Sequence, residues 1–327
     1  MTDIPRRILP LLGAALVLIP PAPSHAQTYP AKPVRMVTQF VAGSGGDALI
    51  RILATYLGDN LGQPVVIENR AGAGGIIAAE VVARAAPDGY SFLAATPNIP
   101  VVRVAAESKM SFDPNKDLVA LTAVAATPSI FIAHPSLPVN SYREVMDYAR
   151  KFPNKLSYGT SGVGSAHHLA AEQVRLLSGI EMVHVPYKAG QQALLDVVTG
   201  QIPTSWVILG EAVPLAKAGK IKVLVTREEK RLSAFPDVPA IGELIPGFEP
   251  LPGWTGLFTP AGVPQAVFRR LSGDAMKALQ VPEAKTKINQ IGFEVVGNTP
   301  EEFAAQIKRE VALTARIARA AGIKLGD

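Results

Sequence analysis

The feature that most narrows what this chain can fold into is an alternation of short β-branched runs with stretches of helical spacing. Residues 34–41 read as a buried strand, and residues 47–60 carry Leu49, Ile52, Leu53, Tyr56 and Leu57 at the spacing of one helix face. A second run at 65–68 leads through the glycines of 72–75 into another helix. The turn Pro87-Asp88-Gly89 then opens a strand at 90–95. A β-α-β-α-β order of this kind predicts a parallel sheet with helices on both faces. The middle of the chain repeats the scheme, with strands at 129–133, 156–159, 182–185 and 221–226 and helices between them. Ser141 followed by Glu144 has the pattern of a capping box. A proline-rich stretch over 235–252 reads as an irregular return, 254–258 as a strand, and 265–280 and 300–320 as helices.

With 327 residues and no repeat of solenoid period, the chain is expected to be an α/β protein of two lobes. It would cross near 121–127 and return near 250–255. Lobe 1 would hold residues 27–125 and 253–327, and lobe 2 residues 126–252. Two crossings make a hinge, and the gap between the lobes makes a cleft.

The first residues predict export. Arg6 and Arg7 precede the apolar stretch 8–19, and Ser24 and Ala26 stand at −3 and −1 of a cleavage site before Gln27. The apolar stretch is too short to span a bilayer core of roughly 30 Å. Residues 1–26 therefore read as a cleaved signal peptide and the destination as the periplasm. Hydrophobic residues at 48% against 18% charged argue against a disordered chain. Without a single cysteine, a disulfide framework and a thiol nucleophile are excluded. The net charge of +5 is scattered rather than gathered into the basic stripe that nucleic-acid binding needs.

Three glycine-rich loops lie between a strand and a helix: Val41-Ala42-Gly43-Ser44-Gly45-Gly46-Asp47, Asn69-Arg70-Ala71-Gly72-Ala73-Gly74-Gly75, and Tyr158-Gly159-Thr160-Ser161-Gly162-Val163-Gly164-Ser165. Such loops present backbone N–H groups at helix N-termini, where anions bind; glycine also simply permits tight turns. Enzyme motifs are missing. Gly164 is followed by Ser165 and not by the lysine of a phosphate-binding loop, and no complete dinucleotide fingerprint, nucleophile elbow or metalloprotease helix occurs. His168 and Glu172 stand four residues apart, a spacing that suits a surface pair better than a metal site. Asp47 opens a helix, where an acidic side chain caps free N–H groups or could face a ligand.

The chain resembles a known family along its length. Tyr29-Pro30-Ala31-Lys32-Pro33-Val34-Arg35 is similar to the mature start of the Bug receptors, the TctC-like periplasmic substrate-binding proteins of tripartite tricarboxylate transporters. The resemblance continues through Leu61-Gly62-Gln63-Pro64-Val65-Val66-Ile67-Glu68-Asn69-Arg70-Ala71-Gly72, Ala86-Pro87-Asp88-Gly89-Tyr90, His134-Pro135-Ser136-Leu137-Pro138 and Val183-His184-Val185-Pro186-Tyr187-Lys188. It runs on to Phe235-Pro236-Asp237-Val238-Pro239, Pro260-Ala261-Gly262-Val263-Pro264 and Thr299-Pro300-Glu301-Glu302-Phe303.

This resemblance implies a two-lobed, type II-like periplasmic binding fold that closes on a small carboxylate without metal or cofactor. It implies a monomer serving a membrane permease or a sensor kinase. Mapped onto this chain, the ligand-facing positions are Phe40, Ala42, Gly43, Ser44, Gly45 and Asp47 on one loop. Thr160, Ser161, Ser165 and His167 lie on the facing loop, and Thr96 and Asn98 on the turn after the third strand. Gln39 and Val41 depart from the prolines usual in the first loop, and extra glycines loosen it. Trp206 departs from a usually polar stretch and reads either as a lid over the ligand or as a core indole. As a cavity wall it would favour an aromatic or aliphatic acid over citrate. Two alternatives to a transport receptor stay open: a carboxylate sensor without transport, and an exported hydrolase using Ser161 or Ser165 with His167 or His168.

Overall fold

In the computed structural model, which describes residues 29–251 and 253–324, the alternating runs fold into two mixed sheets, each packed between helices. The leader expected at 1–26 lies outside the described residues. The chain first runs through β1 (Val34–Thr38), α1 (Gly45–Leu61), β2 (Val65–Asn69), α2 (Ile76–Ala83), β3 (Ser91–Ala95), the short α3 (Pro114–Asp117) and β4 (Leu118–Ala126). It then crosses into β5 (Ser129–Ala133), α4 (Tyr142–Lys151), β6 (Ser157–Thr160), α5 (Ala166–Ser178), β7 (Val183–Pro186), α6 (Gly190–Val198), β8 (Thr204–Ile208), α7 (Leu209–Lys217) and β9 (Lys222–Thr226). It returns as β10 (Trp254–Pro260), α8 (Gln265–Gln280), α9 (Pro282–Gln290), β11 (Glu294–Val295) and α10 (Pro300–Ala321).

Local chemistry explains most of these elements. Helix α1 starts because the Ser44 hydroxyl accepts from the Asp47 N–H and ends because Gly62 takes a left-handed φ of 69°. Its Leu49, Ile50, Leu53 and Leu57 face the lobe 1 core against Val34, Met36 and Phe92. Ser141 caps α4 as the sequence predicts: its hydroxyl accepts from Glu144 N–H, while the Glu144 carboxylate accepts from Asn140 N–H.

The expectation of a parallel sheet holds only in part of each lobe. The first sheet has the order β11-β4-β10-β3-β1-β2, and β2, β1 and β3 are parallel. Strand β10 re-enters from the other lobe and runs antiparallel between β3 and β4. In the second sheet, β7-β6-β8-β5-β9, the strand β5 enters straight from the crossing and is antiparallel to both neighbours. Direct entry across a hinge, without a crossover helix, imposes these directions.

The crossing strands are tied together where Thr127 N–H donates to the Gly253 carbonyl at 2.6 Å. A further connection reaches across from one lobe core to the other. Phe303, Ile307 and Val311 of α10 pack on the lobe 1 core, but Leu313, Ile317 and Ala318 join the lobe 2 core. The last helix therefore belongs to both lobes.

Trp206 is also corrected as a cavity wall. It is 0% exposed within the lobe 2 core, edge-on to Phe131 at 5.2 Å between ring centroids. Strand alternation decides this: β8 turns the indole into the sheet's helix-covered face, where Tyr142 and Phe131 await it.

Candidate functional site

Strand β6 ends at the buried Thr160, and the chain then turns through Gly162 at φ 111° and Gly164 at φ 75° before α5 begins. Only glycine adopts such angles without strain. The turn is braced from within. Thr160 Oγ1 accepts from Gly162 N–H and sits 2.7 Å from His184 Nε2, and Gly164 N–H donates to His168 Nδ1. The His168 and His184 rings stack at 3.9 Å with 10° between their planes. Burial pushes both imidazoles below their usual range, His184 to about 4, so the stack stays uncharged at neutral pH. Ser165 caps α5 by accepting from His168 N–H. The first-turn N–H groups of α5 lack intrahelical acceptors and carry the positive end of the helix dipole.

This loop faces a cavity of about 420 Å³ between the lobes. Ser161, Ser165 and His167 line one side; Thr96 and Asn98 line the other, at a π-helical turn spanning Asn98–Arg103. Thr96 is held by Gln39, whose amide donates to its hydroxyl at 2.9 Å, and Asn98 by a bond to the Gly74 carbonyl. The second glycine loop thus supports the site from behind. Leu169, Ile208, Leu251 and Trp254 supply an apolar wall. Ser129, Thr127 and Gly253, from the crossing strands, form the floor together with Arg227 and the α10 residue Thr314.

His167 is 8% exposed, with Nε2 3.0 Å from the Ser129 hydroxyl. Burial, reinforced by the Arg227 charge, lowers its pKa to about 3, so it is a neutral ring. Among the described residues neither His167 nor His168 hydrogen-bonds the hydroxyl of Ser161 or Ser165 through its ring, so no serine–histidine pair is assembled there. Glu172 bonds Arg175 at 2.7 Å and acts on the His168 ring only through space. No cluster of metal-ligating side chains occurs among the described residues.

The structure therefore brings together Thr96, Asn98, Ser161, Ser165 and His167 and leaves Thr160 one layer behind them as a brace. Phe40, Ala42, Gly43, Ser44, Gly45 and Asp47 do not line the cavity. Asp47 is 2% exposed and its carboxylate accepts from Gly43 N–H, Asn69 Nδ2 and Arg51 Nε, at 2.8–2.9 Å. The Arg51 bond, with those from Asn69 and Gly43, holds its pKa down at about 2. Phe40 lays its ring over Gly46, where a Cβ would come within 2.4 Å.

Sequence reasoning missed Arg227, Ser129, Thr127, Gly253 and Thr314. Arg227 opens the charged run Arg227-Glu228-Glu229-Lys230-Arg231, which reads as a solvated turn. Its burial is set by the distant Gly253, a contact that no local pattern displays.

The model of the tripartite tricarboxylate transporter family receptor matches residues 49–323. The protein BugT of Bordetella pertussis is 30% identical over 306 residues, covering 93% of this chain and 94% of BugT. Rpa4515 of R. palustris, solved with adipate, is 32% identical with a TM-score of 0.79, over 90% of this chain and 99% of that one. MatC of Rhodopseudomonas palustris, solved with bound malate, is 28% identical with a TM-score of 0.74, over 88% and 99%. Two lobes, a braced helix entry at the cleft and this match along the chain agree: the protein belongs to the receptor family of the tripartite tricarboxylate transporters, the TctC-like Bug receptors.

Proposed function

We propose that the protein is a non-catalytic receptor that takes a small carboxylate into the interlobe cavity and delivers it, outside the cytoplasmic membrane, to a permease of the tripartite type. The observation that carries this reading is the cavity itself. It sets the first turn of α5, with Ser161 and Ser165, opposite Thr96 and Asn98, and an apolar wall lies between. Helix N–H groups and hydroxyls suit a carboxylate, and the wall suits a short carbon chain. That two relatives were solved with adipate and with malate supports the same class of ligand. Export with cleavage before Gln27, and action as a monomer, complete the proposal.

The test is native mass spectrometry of the protein purified from its own periplasm, repeated after unfolding and refolding. A thermal-shift panel of adipate, glutarate, malate and benzoate follows. A small acid lost on refolding is expected, as is a rise in melting temperature of about 5 °C when one acid is supplied at a hundredfold its dissociation constant. Silence across the panel, with no acid carried from the periplasm, would overturn the reading.

A further inference from the structure

Half of the orphaned polar side-chain atoms among the described residues surround one cavity. Among the described residues, eight buried side-chain nitrogens and oxygens lack a hydrogen-bond partner, and four of them belong to Arg227, His167 and Thr314. All three residues line the interlobe cavity. Arg227 stands out because it carries a full charge. It is 2% exposed, and neither its Nε nor its Nη1 has an acceptor. An arginine so placed suffers desolvation without the ion pair that normally offsets it.

Two acids stand nearby, and both are engaged elsewhere. The Glu228 carboxylate accepts from Ser129 N–H at 3.1 Å. The Glu310 carboxylate accepts from Trp254 Nε1 at 2.9 Å and Gln306 Nε2 at 2.8 Å. They act on Arg227 through space only, and burial pushes both acids up towards the protonated form. The guanidinium also has a space shaped for it. At Gly253 a Cβ would come within 2.6 Å of Nη2, so the absent side chain is what lets the fork lie at the hinge floor.

We propose that the Arg227 guanidinium is the direct counter-charge for a ligand carboxylate at the floor of the cavity. This rests on the carboxylate reading above and sharpens it. The ligand class is an acid whose one carboxylate takes the arginine fork, whose body lies on Leu169, Ile208 and Leu251, and whose far end bears a polar group for Ser161 and Ser165. Bidentate pairing along one edge of the guanidinium, Nε with Nη2 or Nη1 with Nη2, gives one of the two orphaned donors an acceptor and returns to the guanidinium the partner its burial removed. His167, held neutral beside it, adds a hydrogen-bonding ring without a second positive charge to repel the first.

The experiment measures binding of adipate, glutarate, malate and benzoate, each against its carboxamide, to the wild type, R227Q and R227K. The wild type is expected to prefer the tightest acid over its carboxamide by about 100-fold. R227Q should weaken the acid by about 50-fold and bring the acid-to-amide preference below about 10-fold, leaving amide affinity nearly unchanged. R227K keeps a charge beside Glu228 and Glu310 but loses the fork, and should fall between them. A purely structural arginine would weaken acid and amide alike. Acid binding by folded R227Q within about threefold of wild type overturns the proposal and leaves the receptor reading standing. If R227Q does not fold, an unchanged acid-to-amide ratio in R227K overturns it instead. A wild type that binds no acid overturns the carboxylate reading and this proposal together.

Discussion

The loops at 40–47 and 159–165 are written in nearly the same residues: a strand end, several glycines, a serine, then a helix. The fold puts them to different uses. In the first, Ser44 caps α1 and the Asp47 carboxylate accepts from Gly43 N–H, Asn69 and Arg51, so an acid supplied by the chain sits against the loop before that helix. In the second, Ser165 caps α5 but no carboxylate follows, and neutral histidines brace the turn from behind. Ser161, Gly164 and Ser165 line the cavity. Glycine and a capping serine thus specify a helix entry; whether that entry is a site depends on who supplies the negative charge.

This comparison can be broken in three ways. The largest effect is expected from Asp47→Ala, which strands the Gly43, Asn69 and Arg51 donors and should cost roughly 2–3 kcal/mol of unfolding free energy in urea titration. Adipate affinity should change by less than about threefold; a larger loss in the folded variant would make the first loop part of the site. Next, Ser44→Ala and Ser165→Ala should each cost about 1 kcal/mol as lost caps. Only Ser165→Ala should also weaken the bound acid, by about tenfold in calorimetry. Equal binding by the two variants would erase the distinction drawn here.

The last test is pH dependence. Folded His167 and His184 resist protonation down to about 3 and about 4, whereas the unfolded chain takes up those protons near its ordinary value of 6.5. Stability is therefore full above about pH 6.5 and declines as pH falls towards 4. Asp47, whose pKa is lowered to about 2 from 3.8, contributes only above its unfolded value and is lost as pH falls through about 2. The second loop should thus loosen at a higher pH than the first. Amide exchange at Gly164 and Gly43 across this range would detect it, and simultaneous opening would contradict the assignment.

What was legible in the sequence was local. The Ser141–Glu144 cap, the α8 bounds and the α1 face all follow from residues within a few positions of each other. Strand β4, Leu-Val-Ala-Leu-Thr-Ala-Val-Ala-Ala, is too rich in alanine to announce itself and was read as a bare crossing. The antiparallel entry of β5 and β10 depends on the hinge, which spans distant parts of the chain. At the site, a glycine loop marks Ser161 and Ser165, and the family resemblance supplies His167, Thr96 and Asn98. Arg227 was hidden in a charged run because its burial depends on Gly253 and on α10 arriving from the other end of the molecule.

That last helix carries a mechanical consequence. A pair of lobes joined by two strands side by side can swing freely about the line through them, like a door on adjacent pins. Helix α10 adds an anchor off that line, its first turns seated in one lobe and its last in the other. Any swing must then slide or bend a stiff rod that is also packed under the site through Thr314. Such an anchor shortens and stiffens the travel that two strands alone would allow.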